Sequence, residues 1–552
     1  MATAYADDVC ILIRDQNSIS VLQKCLEKLS AASSSEVNWN KSLGLWCGKN
    51  SISSPIKTTS LPENLTWRTD GVKYLGSYLG NREMEVKNWE GMLEQVTSRL
   101  KKWERLLRSL SYRGRTLVIN NLIAAGLWHK AIALQPPRGL IVDIQRVLVK
   151  FFWSGYHWLR PAVLYRPRKE GGQGVVDISS RIMAFRLQSV QRLLFNEQIA
   201  WHLFAHFLLQ QAGGLKYDRH LFLVDLERIN YASLPGFYRS LLNAWKGFGV
   251  QRLNEVYNCR MFLQEPLFYN TFLLGVPHSQ ALIKKFIQGQ VNKVRDLRDV
   301  SRSKWRSARS VADRLGIRSI RLVDQTVRIV VRKFRQLNIG WEGVDIGEDF
   351  WMTFPEIKVF SAVQSNTEDL PPFHLVTKTG IQDLSRTKQC CSPSGRTRIA
   401  LRGEKLGPGS PSAPLWAKLY RLPIHGLLAD IQWRLVHWAL PSNTFVHHFN
   451  SSISITCPFC EQKEDLLHTY VKCERLTPLF SLLIHLFHNL SFSFTSHMFI
   501  FGVPYSPSLT DAGAFLNFLV AVAKYTIFSQ KVEHCHCFYV QIPVLISLQQ
   551  NL

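Results

Sequence analysis

The chain has 552 residues, 46% of them apolar, which excludes disorder throughout and points to several domains. Lys and Arg number 67 against 41 Asp and Glu, a formal charge of +26 that favours a polyanionic partner, nucleic acid first, through phosphate neutralisation. Eleven scattered cysteines exclude the dense disulfide framework of a small secreted domain, so reduced thiols are expected, some of them on metal.

The opening MATAYADDVC has no basic run followed by an apolar stretch, and an intracellular location, nucleus or cytoplasm, is expected. Asp7 and Asp8 fall between short apolar runs, with VCILI (9–13) reading as a buried strand. Adjacent carboxylates on a tight turn can present hard oxygen ligands to Mg2+. Two such ions about 4 Å apart can clamp the attacking and leaving oxygens of a phosphoryl transfer. A surface turn in which Asp bonds local backbone fits the same pair. Farther on, Ile19, Leu22, Leu26 and Leu29 share one helical face, EVNWNKSLGLW (36–46) reads as strand, and VKYLGSYLG (72–80) as a hairpin with a tight turn. Residues 1–85 therefore read as α/β.

From Asn88 the period becomes helical, with Trp89, Leu93, Val96, Leu100 and Trp103 on one face, and a second helix is expected near RTLVINNLIAAGLWHKAIAL. Arg99, Lys101, Lys102, Arg105, Arg108, Arg113 and Arg115 form a basic stripe opposed by Glu104 alone between residues 99 and 115. Such a stripe can track a phosphate backbone, and a solvated helix face has the same pattern. A second basic stretch, 284–335, carries sixteen Lys or Arg against four Asp at helical spacing. Residues 385–414 are poor in large apolar groups and rich in Ser, Pro and Gly, so a flexible linker is expected there.

Near the end, CPFCEQKEDLLHTYVKC sets Cys457, Cys460, His468 and Cys473 at spacings of two, seven and four intervening residues. Thiolate and imidazole suit tetrahedral Zn2+, and four protein ligands close the shell, so a structural ion is expected. Leu466, Leu467 and His468 would begin a helix returning His468 and Cys473 to the ion; buried cysteines without metal are the competing reading. EHCHC (His534, Cys535, His536, Cys537) is too compact to surround one ion unaided, and His447 and His448 read as loop or packing residues. AFLNFLVAVAKYTIF falls short of the roughly 18 apolar residues of a spanning helix and carries Lys524, so no membrane partner is expected.

AYADD followed by an apolar strand resembles the metal-binding hairpin of reverse transcriptases. The order of the motifs downstream of it is similar to that of the non-LTR, LINE-type, retrotransposon subfamily. VNWNKSLGL matches the lysine-bearing motif, KYLGSYLG the primer-gripping hairpin, and RLKKWERLLRSLSYRGRTLVINNLI the thumb. VLVKFFWSGYHWLRPAVLYRPRKEGGQGVVDI is similar to the aromatic, Gly-Gly segment after it. LADIQWRLVHWALPSN is similar to a helix preceding the family's zinc module; there Leu428, Ile431, Leu435 and Trp438 share a face, placing Trp438 in a core and leaving Trp433 and Arg434 less constrained.

The resemblance implies that Asp7 is a metal-binding carboxylate with Asp8 beside it, that Tyr5 and Ala6 shape the turn, and that Lys41 assists pyrophosphate departure. It implies an α+β fold: a partial palm (1–85), a helical thumb (86–180), a helical basic connector (181–384), a linker (385–414) and a helical zinc-binding domain (415–552). RNA or DNA is the implied partner, with structural Zn2+ and, for catalysis, Mg2+. The family's further metal-binding Asp and its fingers should precede Tyr5, where only four residues stand. The chain by itself is therefore expected not to polymerise DNA, and a zinc-containing nucleic-acid binder without catalysis is the alternative.

Overall fold

The computed structural model describes residues 2–5, 8–13, 15–47, 65–196, 198–248, 250–252, 258–299, 304–338, 357–359, 373, 376, 381, 403–421 and 423–534. Contacts divide the chain into two units, Met1–Ser98 with His129–Leu140, and Arg99–Trp128 with Ile141–Leu552.

In the first unit, β1 (Ala2–Tyr5) pairs antiparallel with β2 (Asp8–Ile11), Tyr5 facing Asp8. Helix α1 (Gln16–Ser33) starts where Asp15 accepts the Ser18 N–H at 2.8 Å, satisfying one of the free donors of a first turn, and it buries Ile19. The stretch expected as strand over 36–46 keeps only β3 (Leu43–Leu45) extended. Asn38 accepts the Lys41 N–H at 3.2 Å, and this local bond closes a 3-10 turn over Trp39–Lys41 in place of a ladder. β3 runs parallel to β4 (Thr66–Arg68), with Trp46 stacked on Trp67 at 4.4 Å.

KYLGSYLG forms the expected hairpin, β5 (Gly71–Tyr74) against β6 (Ser77–Gly80). Its two loop residues, Leu75 and Gly76, have φ of 46° and 78°, the two left-handed positions of the tight turn that matches strand twist. Asn88 pins the second strand by bonding both the N–H and the C=O of Tyr78 at 2.8 Å. The helix expected from Asn88 begins only at Met92, as α3 (Met92–Glu104), because the chain after α2 (Arg82–Lys87) turns at Gly91, which has φ 67°.

The chain continues through α4 (Tyr112–Leu117), a π turn at Val118–Ile123, α5 (Ala125–Ala133), α6 (Arg138–Trp153), α7 (Pro161–Tyr165) and α8 (Ile178–Phe195). A large apolar core comes next, drawn from residues 184–381 and built on α8, α9 (His202–Leu209), α10 (Gly236–Phe248), α11 (Cys259–Leu263), α12 (Gln280–Gln288), α13 (Ala308–Leu315) and α14 (Ile320–Gln336). α14 buries Val323, Thr326, Val330 and Phe334 and turns Arg321, Arg328, Arg332 and Arg335 to solvent, so much of the second basic stretch is the polar face of a core helix.

A separate core, from Leu419 to Phe528, is built on α15 (Gly426–Val436), α17 (Thr477–Asn489), α18 (Ser496–Phe501) and α19 (Thr510–His534), while α16 (Asn443–His447) follows α15 in the chain. Part of the stretch expected as linker belongs here: the Gly403 carbonyl meets His497 Nε2 at 3.1 Å, and Thr495 Oγ1 donates to Ser410 O at 3.2 Å. The remainder of that stretch, 385–402, lies outside the described residues. The apolar run read as too short to span a bilayer belongs to a longer helix, and Pro507–Lys531 is by length and composition apolar enough to cross one. Of an apolar 18-residue stretch within it 56% is buried in the fold, and Lys524 on the same helix is fully buried, donating to Gln432 Oε1 at 2.9 Å. The fold is α+β: small two-stranded sheets early, then a long, mostly helical stretch.

Candidate metal centre and buried polar junction

Cys457 and Cys460 bracket a knuckle closed by two backbone bonds, Glu461 N–H to Cys457 O at 2.9 Å and Cys457 N–H to Gln462 O at 2.7 Å. Glu461 takes φ 61°, the left-handed residue that reverses the chain. The expected helix after it is present but widened. His468–Lys472 is a π turn in which the Cys473 N–H reaches back five residues to His468 O at 3.0 Å. That register stacks position i over i+5, which puts His468 and Cys473 on one side, where an α-helix would splay them. Asp465 anchors the turn by accepting the His468 N–H at 2.7 Å.

The four side chains converge, with every ligand atom within 4.8 Å of the others. Two thiolates about 2.3 Å from a tetrahedral Zn2+ stand about 3.8 Å apart. Here Cys457 and Cys460 lie 4.0 and 3.9 Å from Cys473, sulfur to sulfur, and Cys460 Sγ lies 3.2 Å from His468 Nε2. Burial and the neighbouring sulfurs push the Cys473 thiol up to about 11, a cost that a central dication offsets by binding thiolate. The donor set and its spacing fit a structural Zn2+, and four protein ligands leave no open position for substrate. Among the described residues no other group of three or more such ligands lies within reach of one ion.

The other candidates are distributed differently. Asp7 lies outside the described residues, and Asp8 is exposed at the start of β2. Lys41 is exposed at the end of its 3-10 turn. Arg99, Lys101 and Lys102 on α3 and Arg105 and Arg108 after it are exposed, as a phosphate-tracking stripe requires. Arg113 instead lies over the Tyr420 ring at 3.7 Å. Arg115 departs from the stripe altogether: it is 9% exposed, and its guanidinium donates to Leu107 O, Leu110 O, Phe152 O and Ser154 Oγ between 2.7 and 3.1 Å. His447 Nδ1 meets Ile453 O at 2.7 Å, a loop role, and His448 is exposed. His534 ends α19, while Cys535, His536 and Cys537 lie outside the described residues.

Trp438 packs against the C-terminal core as expected, but Trp433, expected to be less constrained, is the more deeply buried of the two. Trp433 is 1% exposed and its indole N–H donates to Gly171 O at 2.8 Å, whereas Trp438 is half-buried. α15 has two buried sides, one on the C-terminal core and one on the Gly-Gly loop, so a single apolar stripe was an incomplete guide. Gly171 O also meets His437 Nε2 at 2.7 Å, and Trp416 stacks on the His437 ring at 5.1 Å.

Beside this lies a polar junction that no motif announced. Asp430 Oδ2 accepts the Tyr112 N–H at 2.7 Å, Asp430 Oδ1 accepts the Tyr420 hydroxyl at 2.8 Å, and Gln173 Nε2 donates to that hydroxyl at 2.9 Å. Burial pushes the Asp430 carboxyl up to about 7, against the pull of these bonds and of Arg115 and Arg434. Burial also brings the Lys524 ammonium down to about 7. The signal available in sequence was slight: an acid and a lysine inside otherwise apolar helices.

No family model matches the chain. It is 31% identical over 563 residues to the Transposon TX1 uncharacterized 149 kDa protein of Xenopus laevis, across 96% of its own length. The chain is homologous to a transposon protein. It spans 42% of that transposon protein's length. The similarity to the transposon protein runs through the whole helical middle as well as the metal centre, so the region without a quotable motif shares the ancestry.

Proposed function

We propose that the chain is the end-of-palm, thumb, connector and zinc-module portion of a LINE-type, non-LTR reverse transcriptase, and that it binds RNA or DNA. The Cys457, Cys460, His468 and Cys473 centre carries this reading, because a closed structural metal site shapes a surface instead of reacting. Homology to a transposon protein and the exposed bases Arg99, Lys101, Lys102, Arg105 and Arg108 support it. The proposed domains are 1–85 palm, 86–180 thumb, 181–384 connector and 415–552 zinc module, in an intracellular setting.

Asp7, with Asp8 beside it, is the proposed Mg2+ ligand of a polymerase site and Lys41 the group that assists pyrophosphate departure. Two-metal catalysis needs carboxylates bridging both ions. The closed four-ligand shell of the metal centre favours a second reading, a zinc-containing nucleic-acid binder that works without catalysis. Filter binding to RNA and DNA over a salt series tests binding, with affinity expected to fall steeply as salt rises. A flat response would overturn it. Primer extension with Mg2+ separates the two readings: no extension is expected from this chain, and extension abolished by Asp7→Ala would establish the polymerase.

A further inference from the structure

Aromatic side chains are normally spent in cores, and a contiguous exposed group of them marks a contact surface. Two segments far apart in sequence build such a group. The loop after α6 supplies Tyr156 and Trp158, and α16 with the residues just beyond it supplies Phe445 and Phe449. Tyr156 lies 5.0 Å from Trp158 and 6.2 Å from Phe449, Trp158 lies 6.2 Å from Phe445, and Phe445 lies 5.2 Å from Phe449, centroid to centroid. Phe449 is 67% exposed, Tyr156 47% and Phe445 38%. The Arg434 guanidinium sits 4.3 Å over the Trp158 ring and is itself held by Ala439 O at 3.0 Å, which fixes that ring as a rigid floor.

The surrounding charge selects the partner. Residues 154–169 and 431–460, which carry all five side chains, include His157, Arg160, Arg168, Lys169, Arg434 and His448; Glu170, Asp430 and Glu461 adjoin them, and Asp430 and the Glu464 that bonds the Asn443 N–H are buried. Of these, His157, Arg160, Arg168, Lys169 and His448 are exposed. Exposed rings on two segments whose exposed charges are mostly cationic suit a polyanion whose flat groups are unpaired.

We propose that Tyr156, Trp158, Phe445 and Phe449 form a stacking platform for the bases of single-stranded nucleic acid. This rests on the nucleic-acid-binding reading above and names the surface and the strand state. Stacking on aromatic faces tolerates any base, so the platform confers preference for single strands over duplex without sequence preference.

The test measures binding of the full chain to a labelled oligothymidylate and to an abasic oligonucleotide of the same length. Phe449→Ala and Tyr156→Leu are each expected to weaken oligothymidylate binding roughly tenfold. Abasic binding and zinc content should stay at the wild-type level. Unchanged oligothymidylate affinity in both variants, with the wild type binding well, would overturn the platform and leave the general reading standing. Self-association of the wild type that Phe449→Ala abolishes, together with unchanged oligonucleotide binding, would assign the surface to a second copy instead. A wild-type chain that binds neither probe would overturn both inferences.

Discussion

The backbone N–H of Tyr112 donates to Asp430 Oδ2 at 2.7 Å across 318 positions of sequence. This bond ties the first turn of α4 to α15, ahead of the metal centre. Tyr420 and Gln173 complete the junction, so three stretches that resemble separate motifs share one buried carboxylate.

That carboxylate makes stability depend on pH. The folded value of Asp430 is raised to about 7 from an ordinary 3.8, so between those limits the folded state binds more protons than the unfolded chain. Its contribution is therefore complete below the unfolded value and is lost as pH rises toward 7. Asp430→Asn keeps the shape and an acceptor for Tyr112 but cannot ionise. Melting temperatures from pH 4.5 to 8 should fall less steeply for Asp430→Asn than for the wild type, and equal slopes would contradict the assignment.

Lys524 acts with the opposite sign. Burial lowers its folded value to about 7 from 10.5, so between those limits the unfolded chain binds more protons and stability rises with pH. Lys524→Met removes that titration and leaves Gln432 Oε1 without this donor. The difference in melting temperature between the wild type and Lys524→Met should widen from pH 7 to pH 9.5 in favour of the wild type.

The metal centre predicts a stoichiometry and a fold dependence. Purified chain should carry one Zn2+ by elemental analysis, and Cys457→Ser or Cys473→Ser should lower the metal content sharply. Because metal binding is folding energy in such centres, strong chelation should expose the C-terminal core to proteolysis, with the 184–381 core retaining its protection. Full zinc content in both variants would remove the site.

The basic stripe divides into core and surface. Arg115→Ala deletes a buried guanidinium that satisfies four acceptors and should cost roughly 3 kcal/mol in denaturant unfolding. Arg105→Ala, on an exposed side chain, should stay within about 0.5 kcal/mol of wild type. On RNA or DNA it should weaken binding and reduce the salt slope by about one.

The Gly-Gly loop gives a paired test. Gly171 has φ 85°, and a Cβ there would stand 2.4 Å from the Trp416 ring, so Gly171→Ala combines left-handed strain with a clash and should cost roughly 2–5 kcal/mol. Gly174 has φ 71° with nothing within 4 Å of such a Cβ. Gly174→Ala should therefore cost only the conformational term, about 1 kcal/mol.

Features with local causes were legible in the order of the residues alone. KYLGSYLG specifies its own turn because a strand pair joined by two residues needs left-handed backbone there. The zinc ligands were legible because the metal fixes donor type and spacing. Asn38 marks a local cause that the strand reading of 36–46 lacks: its side-chain bond to the Lys41 N–H turns the chain there.

Features set by what packs opposite were not legible. Charge alone marks Arg113 and Arg115 as members of a stripe, yet Tyr420 covers one and Phe152 O and Leu107 O bind the other. The middle region has no motif, and its interior is simply residues 184–381 burying one another. By itself the sequence determined the charge, the metal donors and the tight turn, because each depends on residue type and short spacing. The tertiary structure alone decided that Trp433 is core, that Asp430 joins three segments and that Phe449 faces solvent, because burial and pairing depend on partners hundreds of positions away.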